Sequence, residues 1–232
     1  MAESSPPHAK RAFTLIEMLV VVAIISILLG AAIWAYQGAL ERAKAIKDMS
    51  NLRQIATATQ LYMNDNSGVF PGSATQIWMA QLELNQKYLS TWRVLESPFD
   101  ARPTSDQGGG INAMVSYGIN SNVYSGGAAI STDKITKPTA FIVFAPAQGS
   151  GTTTSFQGAG TSSAPGVTVL GAMSTPPGAN AQGGTQNNRA KINAIFADWH
   201  VESMLWSGTG PAFTNTTATG TDPDGYLRWN PL

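Results

Sequence analysis

From Phe13 to Tyr36 the chain is apolar almost without interruption, and from Ala45 apolar positions return every three or four residues. The first pattern predicts a helix long enough to cross a bilayer: about 24 residues rise about 36 Å, against a hydrocarbon core of about 30 Å. Met18 to Tyr36 carries no charge, so Glu17 stands alone near the start of the run. A carboxylate inside a membrane segment needs a partner and marks a functional site. Lys10 and Arg11 precede the run, and the positive-inside tendency then places the N-terminus in the cytoplasm and residues 37 onward outside. A plain anchor, or a signal peptide cut near Gly30-Ala31-Ala32, is the simpler alternative.

The second pattern predicts that the same helix continues in amphipathic form to about residue 64. Ala45, Met49, Leu52, Ala56, Thr59 and Met63 make a stripe widened by Ile55 and Tyr62. Arg42, Lys44, Lys47, Asp48 and Arg53 fall mostly off it and read as a solvated face, with a lipid or partner site, such as a basic patch touching headgroups of the outer leaflet, as the alternative. Asn64-Asp65-Asn66-Ser67-Gly68, then Pro71, predicts a helix end with a left-handed exit. Trp78–Leu89 reads as a second, short helix. Met114–Tyr117, Ile135–Phe144 and Ile192–Trp206 read as strands. Residues 145–190 are rich in Gly, Ser, Thr and Gln and predict a long surface excursion, with Val167–Leu170 as one edge strand in it. Residues 207–225 repeat that character before Tyr226–Trp229 supplies an aromatic anchor. The fold class expected is α+β: a long N-terminal helix, half transmembrane and half amphipathic, packed on a small antiparallel sheet with long loops.

Formal charge is zero, which gives no support to a specific nucleic-acid partner, and the absence of cysteine excludes disulfides and thiol chemistry. Beyond position 12 there is one histidine, His200, and neither G-x-S-x-G nor a phosphate-binding glycine loop occurs. No enzymatic activity is expected. His200 with Asp198 and Glu202 is the weak alternative of a metal site, and Trp199, Trp206 and Trp229 that of a membrane-anchored, carbohydrate-directed binding module.

Ala12-Phe13-Thr14-Leu15-Ile16-Glu17, leading into an apolar helix, resembles the cleavage and methylation signal of type IV pilins and of type II secretion pseudopilins. The resemblance implies a leader at 1–12 cut by prepilin peptidase between Ala12 and Phe13, methylation of Phe13, and a Glu17 that docks the subunit into a filament. It further implies a transmembrane half at 13–36, an amphipathic half at 37–64 and a globular head at 65–232. Ala12 departs from the glycine usual before the cut. Partners implied are further copies in a helical filament, other pilin-like subunits, an inner-membrane assembly platform and, before assembly, the lipid bilayer. The chain would then be a single-pass inner-membrane protein whose filament stands in the periplasm or at the cell surface. A type II secretion system is the first reading and a pilus for adhesion, motility or DNA uptake the second.

A second resemblance is to a branch of these proteins common in planctomycetes and verrucomicrobia, which carries an H-x9-D-G element. Ser97-Pro98-Phe99-Asp100, Ser116-Tyr117-Gly118-Ile119-Asn120 and Phe196-Ala197-Asp198-Trp199-His200-Val201-Glu202 carry it, although Asn188 stands where the branch has His and Trp199 where it has Gly. A residue with a Cβ at such a left-handed turn position costs about 1 to 2 kcal/mol, so Trp199 must sit in a different turn or offset that strain by burying its ring. Asp222 and Asp224 flank a turn that in similar pseudopilins holds calcium, which makes them calcium candidates; no other cofactor is expected.

Overall fold

The computed structural model describes residues 14–72, 78–83, 87–100, 114–125, 128–150, 155–156, 185, 191–205 and 227–228. Helix α1 runs Leu15–Asp65, 51 residues, and the chain divides into two compact units between Arg42 and Ala43. In the first unit the described large apolar side chains are exposed, Leu15 at 83% and Ile27 at 74%, so among the described residues this stretch has no core of its own. It is long and apolar enough to cross a membrane. Ser26 satisfies its hydroxyl by donating to the Val22 carbonyl at 2.8 Å, a bond that keeps a polar group compatible with an apolar helix.

In the second unit the amphipathic stripe is buried as its spacing requires: Leu52, Ile55, Ala56, Thr59 and Met63 are at most 5% exposed. The helix ends where the turn-forming residues begin. Ser67 (φ 58°) and Gly68 (φ 76°) take left-handed conformations, and the Gly68 amide donates to the Met63 carbonyl at 2.8 Å, closing a Schellman-type end.

Against this stripe lies a sheet built from β1 (Met114–Asn120), β4 (Ile142–Ser150), β6 (Lys191–Phe196) and β7 (Val201–Leu205), all paired antiparallel. A two-residue strand β5 (Ser155–Phe156) adds parallel to β1, giving the order β5-β1-β4-β6-β7. Strands β2 (Tyr124–Ser125) and β3 (Ala128–Ala129) form a separate small hairpin. Helix α2 (Trp78–Glu83) places the Trp78 ring 4.9 Å from that of Phe144, and a 3-10 turn at Trp92–Leu95 adds Trp92, Val94 and Leu95 to the same core. Long helix and small antiparallel sheet together make the α+β, pilin-like fold that the sequence predicts.

Three expected elements differ in extent. Helix α2 ends at Glu83 rather than Leu89, and Tyr88 and Leu89 instead donate their amides to the Leu82 carbonyl. The strand expected at Ile135–Phe144 begins only at Ile142, because the Lys137 carbonyl before Pro138 accepts from both Ala140 and Phe141 and turns the chain. It then runs on through residues 145–150, which composition assigns to the surface excursion. Pro146 is tolerated there because β6 has stopped pairing by Phe144, and a bulge opposite Val115–Tyr117 absorbs the irregularity. The stretch Ile192–Trp206 folds as the β6–β7 hairpin instead of one strand. Val167–Leu170 lies outside the described residues, as do Tyr226 and Trp229.

Candidate functional site

Leu15, Ile16 and Glu17 form the first turn of α1, and Thr14 stands at its N-cap, its carbonyl accepting from the Met18 amide. The Thr14 hydroxyl accepts from the Glu17 amide at 3.3 Å, and a Glu17 carboxylate oxygen accepts from both the Thr14 amide and the Thr14 hydroxyl at 2.8 Å. This is a capping box, in which two otherwise orphan amides at the helix start are satisfied reciprocally. The T-x-x-E spacing announces it in the sequence. Glu17 therefore has an intramolecular partner before any second copy arrives. Ala12 and Phe13, predicted to flank the cleavage site, lie outside the described residues.

The head contains a second polar centre that pattern reading misses. Asp48, expected on a solvated face, is fully buried. One of its oxygens accepts from the Ser97 hydroxyl at 2.5 Å and the Tyr117 hydroxyl at 2.6 Å, while the other accepts from the Asn193 amide at 2.9 Å. The helix, the loop before Pro98, β1 and β6 thus meet on one carboxylate. Burial raises its pKa above the ordinary value, opposed by those three donors, and burial with the neighbouring carboxylate pushes the Tyr117 hydroxyl well up. Asn51 donates to the Glu96 carbonyl at 2.8 Å beside it. Nearby, Ser116 donates to Asp100 at 2.6 Å, and the Asn120 amide group donates to the Ile142 carbonyl at 2.9 Å. The S-P-F-D and S-Y-G-I-N segments are thereby brought together as structural polar contacts. The only sequence signal of this centre is an acidic residue one position before Met49 of the apolar stripe.

At the β6–β7 hairpin, Trp199 does occupy the left-handed position (φ 70°), the last residue of a three-residue loop closed by its own amide on the Phe196 carbonyl at 2.9 Å. Glycine is the easy residue there. The indole offsets the strain by packing against the buried Phe70, with ring centroids 6.1 Å apart. His200 stacks on Phe196 at 4.3 Å, with Nδ1 on Asp198 and Nε2 3.6 Å from Glu202. The two carboxylates address opposite nitrogens of one ring, so these three side chains do not converge on a point where a metal would sit, and no group able to hold one occurs among the described residues. Trp206, Trp229, Asp222 and Asp224 lie outside the described residues. The tryptophan of this set that is described serves the core rather than a sugar-binding face.

Residues 7–33 match the family model described as the prokaryotic N-terminal methylation motif. Comparison with curated proteins and with solved structures gives no match. The matched stretch contains the capping box and most of the exposed apolar helix, and this coincidence supports membrane anchoring through α1. The motif is of the type IV pilin and pseudopilin kind, a family that is structural, and it implies in general terms processing by prepilin peptidase and assembly with other pilin-like subunits.

Proposed function

We propose that the protein is a filament subunit of a type II secretion-type system, held in the inner membrane by residues 13–36 with its N-terminus cytoplasmic. Cleavage between Ala12 and Phe13 frees an amine, which is methylated, and the subunit then moves into a helical filament. Glu17 docks it there by pairing with the amine of a neighbouring copy. The observation that carries this reading is the methylation motif at 7–33 running into an apolar helix without a core of its own. An amine and a carboxylate removed together from water favour each other, and an unpaired carboxylate in that place is strongly disfavoured. Docking exchanges the Thr14 donors of the capping box for a neighbour's amine. The cysteine-free sequence, which excludes a disulfide-bounded C-terminal loop, and the S-P-F-D, S-Y-G-I-N and F-A-D-W-H-V-E segments of the planctomycete-like branch support the secretion-type reading over a long pilus.

The N-terminus of the mature protein tests it. Mass spectrometry is expected to give a methylated Phe13, and an intact Met1 or a start near Ile33 would overturn the pathway. Imaging of surface fibres with and without the protein separates a secretion system from a pilus. The calcium reading of Asp222 and Asp224 is tested by calorimetric titration of the wild type against the doubly substituted Asp222→Asn, Asp224→Asn chain. Equal heats would remove it.

A further inference from the structure

Within the second unit, Ser50, Arg53 and Ala58 fall on one side of α1, and an open groove of about 330 Å³ lies between them and residues 88–94. Its floor is apolar: Ala58, Leu89 and Val94 are at most 5% exposed. Its rim is polar. The Arg53 guanidinium is exposed and makes no ion pair or hydrogen bond among the described residues, and the hydroxyls of Ser50 and Ser90 are likewise without partners there. No acidic side chain lines the groove among the described residues, so this positive charge is left unbalanced.

A planar guanidinium beside hydroxyl donors is matched by a carboxylate, which can accept two parallel N–H donors at once. The volume lies at the small end for a ligand site and suits the tip of a turn better than a cofactor. A copy of this chain carries such a tip. From residue 192 to 227 the sequence has Asp198, Glu202, Asp222 and Asp224 but neither lysine nor arginine. Of these, Asp198 and Glu202 flank the β6–β7 loop, with side chains 33% and 59% exposed. His200 is the one basic side chain between them, so net negative charge remains whether its imidazole is neutral or protonated. By contrast, Asp133 adjoins the exposed Lys134, and Asp65 is bound to Lys87 at 2.8 Å.

We propose that the groove receives the β6–β7 loop of a second copy, with Arg53 pairing to the carboxylates of Asp198 and Glu202. This rests on the reading of the chain as a filament subunit. Groove and loop are different patches of one head, so the contact is heterologous. Each copy gives its loop to one neighbour and its groove to another, and the contact repeats along a filament instead of closing a dimer. Pairing at Glu17 joins helices, and this contact joins heads.

The test co-expresses two full-length chains in the native cell: the wild type, and a chain with Arg53→Lys, Asp198→Asn and Glu202→Gln. The first substitution supplies an amine in the groove, and the other two remove the carboxylates from the same chain. A carbodiimide joins an amine to a carboxylate without a spacer, so any bond from position 53 to Asp198 or Glu202 must run between copies. That bond is expected in the cross-linked dimer, mapped by peptide mass spectrometry. It is expected to be lost when Thr57→Trp, on the exposed lining of the groove, is added to the second chain and fills the space. An undiminished bond in the filled groove overturns the groove as the seat of the contact. Cross-linked dimers with no bond from position 53 to the loop overturn the contact alone, as does a bond from position 53 to a different protein. A complete absence of cross-linked dimers overturns the subunit reading and this contact together.

Discussion

Glu17 and Asp48 sit on the same helix, and they solve the problem of a carboxylate away from water in opposite ways. Among the described residues Glu17 bonds only Thr14, three residues away, on a turn otherwise exposed and apolar. Asp48 bonds residues 49, 69 and 145 positions distant, at the centre of the head. A local bond survives if the rest of the protein is removed or rearranged, which suits the exchange of partners that the proposed filament asks of the Glu17 carboxylate. A carboxylate held by three separate elements is fixed by the fold and in turn fixes it. The difference separates a group suited to assembly from one suited to architecture.

The sharpest way to break this contrast is at Asp48. Asp48→Ala leaves the buried Tyr117 hydroxyl without its acceptor and strands the Ser97 and Asn193 donors, and is expected to cost about 3 kcal/mol or more, read from denaturant midpoints of the chain in detergent micelles. A loss below 1 kcal/mol would show that the centre is incidental. Asp48→Asn keeps an oxygen for Ser97 and Tyr117, and its new amide faces Asn193, whose own carbonyl oxygen has no partner among the described residues and can turn to accept. It should be far milder, and it should also flatten the pH dependence. Because burial raises the Asp48 pKa in the folded state, the group's contribution to stability is fully present below the unfolded carboxylate value of about 4 and declines as pH rises through the raised folded value. The wild type should lose stability across that window relative to Asp48→Asn, and identical slopes would remove the assigned cause.

At Glu17 the contrast can be divided. Glu17→Gln retains the capping geometry but not the charge, whereas Thr14→Ala removes the cap hydroxyl and keeps the charge. Filament yield is expected to drop at least ten-fold in Glu17→Gln with membrane insertion unchanged, and to drop much less in Thr14→Ala. Equal losses in the two would make the local bond, and not the charge, the element that matters. The smallest effect belongs to the hairpin. Trp199→Gly relieves a left-handed strain of about 1 to 2 kcal/mol but gives up the ring contact with Phe70, for a net destabilisation of about 1 kcal/mol. A gain in thermal stability would mean that the indole does not offset the strain.

Periodicity was sufficient for much of this. The uncharged run, the stripe from Leu52 to Met63 and the turn residues after Asn64 depend on neighbours within a few positions, where spacing dictates which side chains share a face. The capping box is legible for the same reason. The sheet was legible only as candidate strands. Where β4 begins depended on Pro138 and where it ends depended on Met114 and Val115, its partners beyond the bulge, and no local pattern contains a partner strand. Asp48 shows the limit most clearly: by composition and spacing it is a surface acid beside Lys47. Its burial was decided by donors contributed from Ser97, Tyr117 and Asn193, which tertiary packing alone brings within hydrogen-bond range.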